Sequence, residues 1–153
     1  MISTGVEELH GGPVTRPLKV LDGALPAGLG GHLFISGAIA DPGRPAFSGE
    51  GVLYRVDFAD DGAHITRAVL RPPCFHADHA LRDSDHGPLL QFHDLGLTRL
   101  SPLLGVRTVL GTAPVALHDR MIVASDTGRP WEFDPVTLAL VTPLGRVDEW
   151  RGA

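Results

Sequence analysis

The run Cys74-Phe-His76-Ala-Asp78-His79, followed by Asp85-His86 and His93-Asp94, gathers the chain's densest set of metal-ligand side chains. Cysteine, histidine and aspartate are zinc-ligand types, and four of them must converge tetrahedrally to close a structural site. Neither H-E-x-x-H nor a paired C-x-x-C occurs. His76 and His79 stand three apart, a spacing that shares a helical face but points to opposite faces of a strand. A polar, surface-lying loop is the favoured expectation for this segment, because irregular polar connections run over surfaces. Whether the His76/His79 cluster binds metal stays open on the sequence alone.

Two further arrangements invite a nucleophile. Ser48 in Phe-Ser-Gly-Glu-Gly resembles a G-x-S-x-G elbow but lacks its first glycine, with Pro45 and Ala46 preceding Phe47. Cys74 lies near His76, yet no cationic cluster or helix N-terminus stands out to lower its pKa, so an inert thiol is expected. Gly28-Leu-Gly-Gly31 is no phosphate loop, since no Lys-Ser/Thr follows it. Trp131, Phe133 and Trp150 could stack on a substrate, but strands favour aromatics in any case.

The elements that must position these residues read as strands. Val52 to Phe58 alternates, with Tyr54, Val56 and Phe58 on one face and Arg55 and Asp57 on the other. Asp60-Asp61-Gly62 turns the chain into a return strand, Ala63 to Leu70, which Pro72-Pro73 ends. His32 to Ile35 is an apolar strand, and Asp41 to Pro45 a loop by its turn residues. Residues 74–96 have no steady period, and Leu100 to Gly105 reads as a short helical or irregular apolar segment. Strands resume at Ala113 to Leu117 and Met121 to Ser125 around a His118-Asp119-Arg120 turn. Gly128 to Leu138 predicts a strand, a tight Asp134-Pro135 turn and a second strand starting at Leu138. No long 3.6-residue pattern appears, so the expected class is all-β, built of antiparallel meanders.

Composition narrows the function classes. The 153 residues include 19 Gly and 13 Pro, which punctuate short strands and fall short of a disordered composition. Net charge is −5 and Lys19 is the sole lysine among 13 basic residues, so no basic stripe exists and nucleic-acid binding is disfavoured. The single cysteine excludes an intrachain disulfide and fits a reducing compartment. Met1 to His10 lacks the pattern of a signal peptide, and no apolar run reaches membrane-spanning length. A cytoplasmic location is the expectation.

Four segments match, in order, the motifs of one known family. Gly23-Ala-Leu-Pro-Ala-Gly-Leu-Gly-Gly31 is similar to an opening G-x-L-P-x-x-L-x-G, with Phe34 and Gly37 where an aromatic and a glycine follow. Phe47-Ser-Gly-Glu-Gly-Val52 resembles an F-D-G-D-G-M turn ahead of a strand. Leu97-Thr-Arg-Leu-Ser-Pro-Leu-Leu-Gly-Val-Arg107 and Asp126-Thr-Gly-Arg-Pro-Trp-Glu-Phe-Asp-Pro-Val-Thr-Leu138 resemble later segments. In this order they resemble the carotenoid oxygenase family of carotenoid-cleaving and lignostilbene-cleaving dioxygenases. Departures are Ile35, Ser36 and Ala38 around Gly37, Ser48 and Glu50 in place of aspartates, and Pro45-Ala46 where a histidine is usual.

The resemblance implies a seven-bladed β-propeller carrying Fe(II) on its axis, held by four histidines, which leaves open positions for O2. The reaction it implies is oxygenative cleavage of a C=C bond in a carotenoid, apocarotenoid or stilbene-like substrate. The match covers early blades only: residues 1–22 are expected to be an irregular leader and 23–153 an incomplete N-terminal part of the propeller. No Ala-His-Pro occurs, so the family's four ligands would fall beyond Ala153, and no catalytic, cofactor-binding or metal residue is assigned here. On that expectation the chain alone holds no iron and is inactive; the alternative is a non-enzymatic or degenerate propeller piece that acts at most in binding. Leu100, Leu103 and Leu104 fall where family members carry a monotopic membrane-contacting patch, although core packing is the favoured expectation for a short apolar run.

Overall fold

A computed structural model describes residues 11–40, 45, 48–81 and 89–145. Glu7, Glu8, Phe47, Asp85, His86 and Trp150, and most of the Asp41-to-Pro45 loop, lie outside the described residues. The elements are β1 (Val14–Leu18), β2 (Gly31–Ile39), β3 (Glu50–Ala59), β4 (Gly62–Val69), α1 (Pro73–Leu81), β5 (His93–Asp94), β6 (Arg99–Ser101), β7 (Gly105–Val106), β8 (Pro114–Ala116), β9 (Met121–Val123), β10 (Trp131–Phe133) and β11 (Leu140–Pro143). They form two four-stranded sheets, ordered β1-β4-β3-β2 and β11-β10-β9-β8, and a small β5-β6-β7 sheet. Every pairing in them is antiparallel.

The β3–β4 hairpin turns where expected, with Gly62 at φ 124° in a conformation closed to most side chains. Its alternation is only half the story. Leu53 shares the face of Arg55 and Asp57 and is fully buried, because that face packs on the second sheet. Leu53, Ala68, Leu70, Leu110, Val123, Phe133 and Leu138 form the core, with Phe34 and Trp131 packed against it. Phe34 meets Phe133 edge-on at 5.8 Å between ring centroids. Trp131 and Phe133 therefore serve sheet packing.

Four expectations are corrected. The leader is not irregular throughout, since β1 pairs with β4 from Val14 opposite Arg67 to Leu18 opposite Ala63. Residues 74–81 are not loop but helix, started by Pro73, whose missing N–H costs nothing in a first turn. Its nine residues bury one apolar and one charged side chain, Phe75 and Asp78, so no apolar stripe announces it. Leu100 to Gly105 is not helical: β6 turns back into β7, with Ser101 opposite Gly105. Leu138 belongs to a turn, and the return strand begins at Leu140.

That turn is held from inside. Oδ1 of Asp134 accepts from the backbone N–H of Thr137 at 2.7 Å and of Val136 at 2.9 Å, and from the Thr137 hydroxyl at 3.1 Å. Leu138 takes φ 59°, a left-handed conformation that its burial in the core holds in place. Arg55 on β3 reaches across to the turn, donating from Nη1 to the carbonyls of Pro135 and Val136, each at 2.8 Å. One guanidinium thus ties the first sheet to the second.

The glycines of Phe47-Ser-Gly-Glu-Gly are needed for a close approach of backbones. A Cβ on Gly51 would sit 1.7 Å from the carbonyl oxygen of Val109, and one on Gly49 2.1 Å from that of Ile39. Gly51→Ala is expected to destabilise the fold by about 1–3 kcal/mol or more in urea unfolding. Gly12→Ala, which meets nothing within 4 Å, is expected to stay within about 0.5 kcal/mol of the parent. Equal effects would contradict the close-approach account.

The backbone N–H and hydroxyl of Thr137, with the N–H of Val136, hold the Asp134 carboxyl below its ordinary pKa of 3.8. A lowered folded pKa contributes stability that is complete above the unfolded value and lost as pH falls through the folded one. The stability gap between the parent and Asp134→Ala should therefore be widest near neutrality and shrink on acidification below 3.8. A gap of constant size from pH 6 to pH 2 would contradict it.

Candidate functional site

The chemistry-bearing residues meet at one buried ionic centre. Asp78 on α1, 4% exposed, receives both arginines of the Leu97-to-Arg107 segment. Arg99 grips its carboxylate with two nitrogens, Nη2 to Oδ1 at 2.7 Å and Nη1 to Oδ2. Arg107, 2% exposed, donates from Nε to the same Oδ2 at 3.2 Å. From its other nitrogens Arg107 donates to the Gly49 carbonyl at 2.6 Å and to Oε2 of Glu50. The second oxygen of Glu50 lies 3.6 Å from Nε2 of His79, one residue along α1 from Asp78.

Two guanidiniums thus face two carboxylates in the interior. Ionic groups are buried at tolerable cost only when paired and hydrogen-bonded, and here the centre joins α1, the start of β3, β6 and the segment after β7. The glycine carbonyl and the glutamate both come from Phe47-Ser-Gly-Glu-Gly. Two of the segments that carry the family resemblance are therefore partners in one contact, which single-segment inspection could not reveal. Asp78, singled out as a metal-ligand candidate, is a structural anion.

The remaining candidates do not assemble into a catalytic set. His76 and His79 both pack on Phe75, the latter at 4.1 Å between ring centroids. Among the described residues no group of three or more His, Cys, Asp or Glu side chains is placed to hold a metal ion. Cys74 donates its thiol to the Thr108 carbonyl at 3.2 Å, and burial pushes its pKa up, the reverse of an activated nucleophile. The Ser48 hydroxyl is spent on the Pro45 carbonyl at 2.8 Å, closing a local turn.

A cavity of about 570 Å³ opens beside the ionic centre, within the size range of ligand pockets. Ala38, Leu97 and Val109 supply apolar wall, while Thr112, Ser125 and Asp126 supply polar groups. Thr112 donates its hydroxyl to Oδ1 of Asp126 at 3.1 Å, so the carboxylate is positioned at the wall. Sequence reasoning did not single out this pair; Asp126 opens the segment that runs to Leu138, and Thr112 carries no local signal. A second feature is an apolar exposure on and around the small sheet. Leu95, Leu97, Leu103, Leu104 and Val106 are exposed, whereas Leu100 is half-buried on β6.

No protein-family model and no curated protein matches the chain. Solved structures do. A variant of the Synechocystis apocarotenoid oxygenase aligns with a TM-score of 0.67 at 18% identity, covering 87% of this chain and 29% of that one. A cobalt-substituted form of the same enzyme aligns with a TM-score of 0.60 at 20% identity, covering 86% and 29%. The chain therefore spans under a third of the length of these structures. It shares their fold over that span: an all-β, partial propeller of antiparallel meanders. Among the described residues no helix is long and apolar enough to cross a membrane.

Removing one partner of a buried ion pair strands the other. Asp78→Ala removes the buried carboxylate that both guanidiniums share, leaving Arg107 with Glu50 and Arg99 with Asp94 at 3.6 Å, and is expected to lower unfolding free energy by about 3–5 kcal/mol. Asp119→Ala, at an exposed pair screened by solvent, should change it far less. Urea midpoints for the two variants check this, and a mild Asp78→Ala would contradict the assignment.

Proposed function

We propose that residues 23–153 are the N-terminal part of a carotenoid oxygenase-type propeller. In complete form it would be an Fe(II)-dependent dioxygenase that cleaves a C=C bond of a carotenoid, apocarotenoid or stilbene-like substrate. The observation that carries this reading is the ionic centre, where segments resembling that family's motifs meet within a fold shared with apocarotenoid oxygenase. Iron, when bound, would supply dioxygen activation. The described residues of this chain do not fit an iron site, since no cluster of candidate ligands converges. No step of the reaction is assigned to them.

What these residues can do is build and shelter. The largely apolar cavity beside Arg107 suits a lipophilic molecule, and the Thr112–Asp126 pair offers it one fixed polar contact. The exposed leucines around the small sheet suit contact with the surface of a lipid bilayer, from which such a substrate would be drawn. A propeller piece that acts only in binding remains the competing outcome of the test.

DNA following the Ala153 codon should encode an Ala-His-Pro segment and three further histidines, in frame or after a frameshift. A chain extended through them should bind stoichiometric iron and cleave a polyene or stilbene in an oxygen-dependent way, while residues 1–153 alone do neither. Unrelated downstream sequence, or an extended chain without iron, would overturn the enzyme assignment.

The lipid proposal has its own check. Leu103→Asp with Leu104→Asp should weaken co-sedimentation with phosphatidylcholine vesicles by about tenfold or more, given roughly 1.5–3 kcal/mol for each leucine buried. Unchanged binding would end it.

A further inference from the structure

Strand β1 is the outlier of its sheet. It precedes β2 in the chain yet lies on the far side of β4, so three strand spacings separate the two, roughly 14 Å. Residues 19–30 make the crossing and are exposed throughout. Twelve extended residues can reach about 40 Å, so the connection has much slack.

The attachment of β1 is shallow. Val14 is half-buried, and Thr15, Arg16, Pro17 and Leu18 are exposed. No β1 residue belongs to the core cluster, whereas β4 contributes Ala68 to it. A backbone ladder holds the strand, and across it the hydroxyls of Thr15 and Thr66 lie 2.9 Å apart. Local opening is cheapest where few apolar contacts are lost and the ladder is solvent-exposed. Once uncovered, β4 would present unpaired backbone groups over Ala63 to Arg67, a template for another strand.

We propose that β1 is an exchangeable edge strand, which leaves β4 without unfolding the sheet and is replaced there by β1 of a second copy of this chain. The occupant is specified by what the edge already accepts. Residues 14–18 of another copy reproduce the same five pairings, with Thr15 opposite Thr66 and Pro17 opposite His64. The slack connection lets a strand be handed across without strain, and exchanging an identical element is a low-cost route to a dimer. Return of the strand to its own sheet is intramolecular and replacement by a second copy is bimolecular, so exchange grows with protein concentration.

The test mixes two single-cysteine variants, Thr15→Cys and Thr66→Cys, both in a Cys74→Ser background, under mild oxidation at high concentration. Exchange predicts a cross-chain disulfide about tenfold more abundant than from Thr15→Cys mixed with the exposed-site control Asp119→Cys. A yield equal to the control overturns the proposal. Should Thr66→Cys not fold, native-state hydrogen exchange on the unaltered chain decides a necessary part of it. The β1 amides should exchange about a hundredfold faster than those of β3, with almost no dependence on denaturant. Release of both strands in one global opening would contradict it.

Discussion

Asp78, held between Arg99 and Arg107, is the contact on which the rest of the arrangement depends. Without it α1 would offer the sheets little beyond Phe75, because its other buried side chain is this carboxylate. Arg107 carries the tie onward to the Gly49 carbonyl and Glu50, so one guanidinium fixes both the helix and the entry to β3. The close approaches at Gly49 and Gly51 are the steric counterpart: backbone meets backbone there, and only glycine leaves room. Charge pairing and the missing Cβ atoms solve the same problem, which is how to lay a helix and a small hairpin against a strand entry.

The contact also reassigns what the motifs are for. Phe47-Ser-Gly-Glu-Gly and the Leu97-to-Arg107 run carry catalytic-looking residue types, yet Arg107 of the second is bound to the Gly49 carbonyl and Glu50 of the first. The histidines of α1 are drawn into the same packing, with His79 against Phe75 and near Glu50. Architecture accounts for these residues. Beside them lies the cavity, whose mostly apolar wall carries the hydrogen-bonded Thr112 and Asp126.

The parts of the fold legible in the sequence were those dictated by local physics. The β3–β4 hairpin follows from alternation and Gly62, and the turn after Phe133 from the capping power of Asp134. Elements set by distant partners were not legible. Helix α1 has no apolar stripe because a buried aspartate takes one of its inward positions, and β6–β7 is too short to show a period. Strand β1 is exposed over most of its length and carries Pro17, so only its pairing with β4 identifies it. The ionic centre was visible as residues but not as a site, since Glu50, Asp78 and the arginines Arg99 and Arg107 come from three separate segments.

The most direct measurement of the central claim is a thermodynamic cycle on the buried pair, with Arg107→Met, Asp78→Leu and the combined variant compared in urea unfolding. If the two side chains bury each other's charge, the combined variant loses less than the two single losses added together, by about 1–3 kcal/mol. Losses that simply add would show that Asp78 and Arg107 do not depend on one another, and would contradict the account.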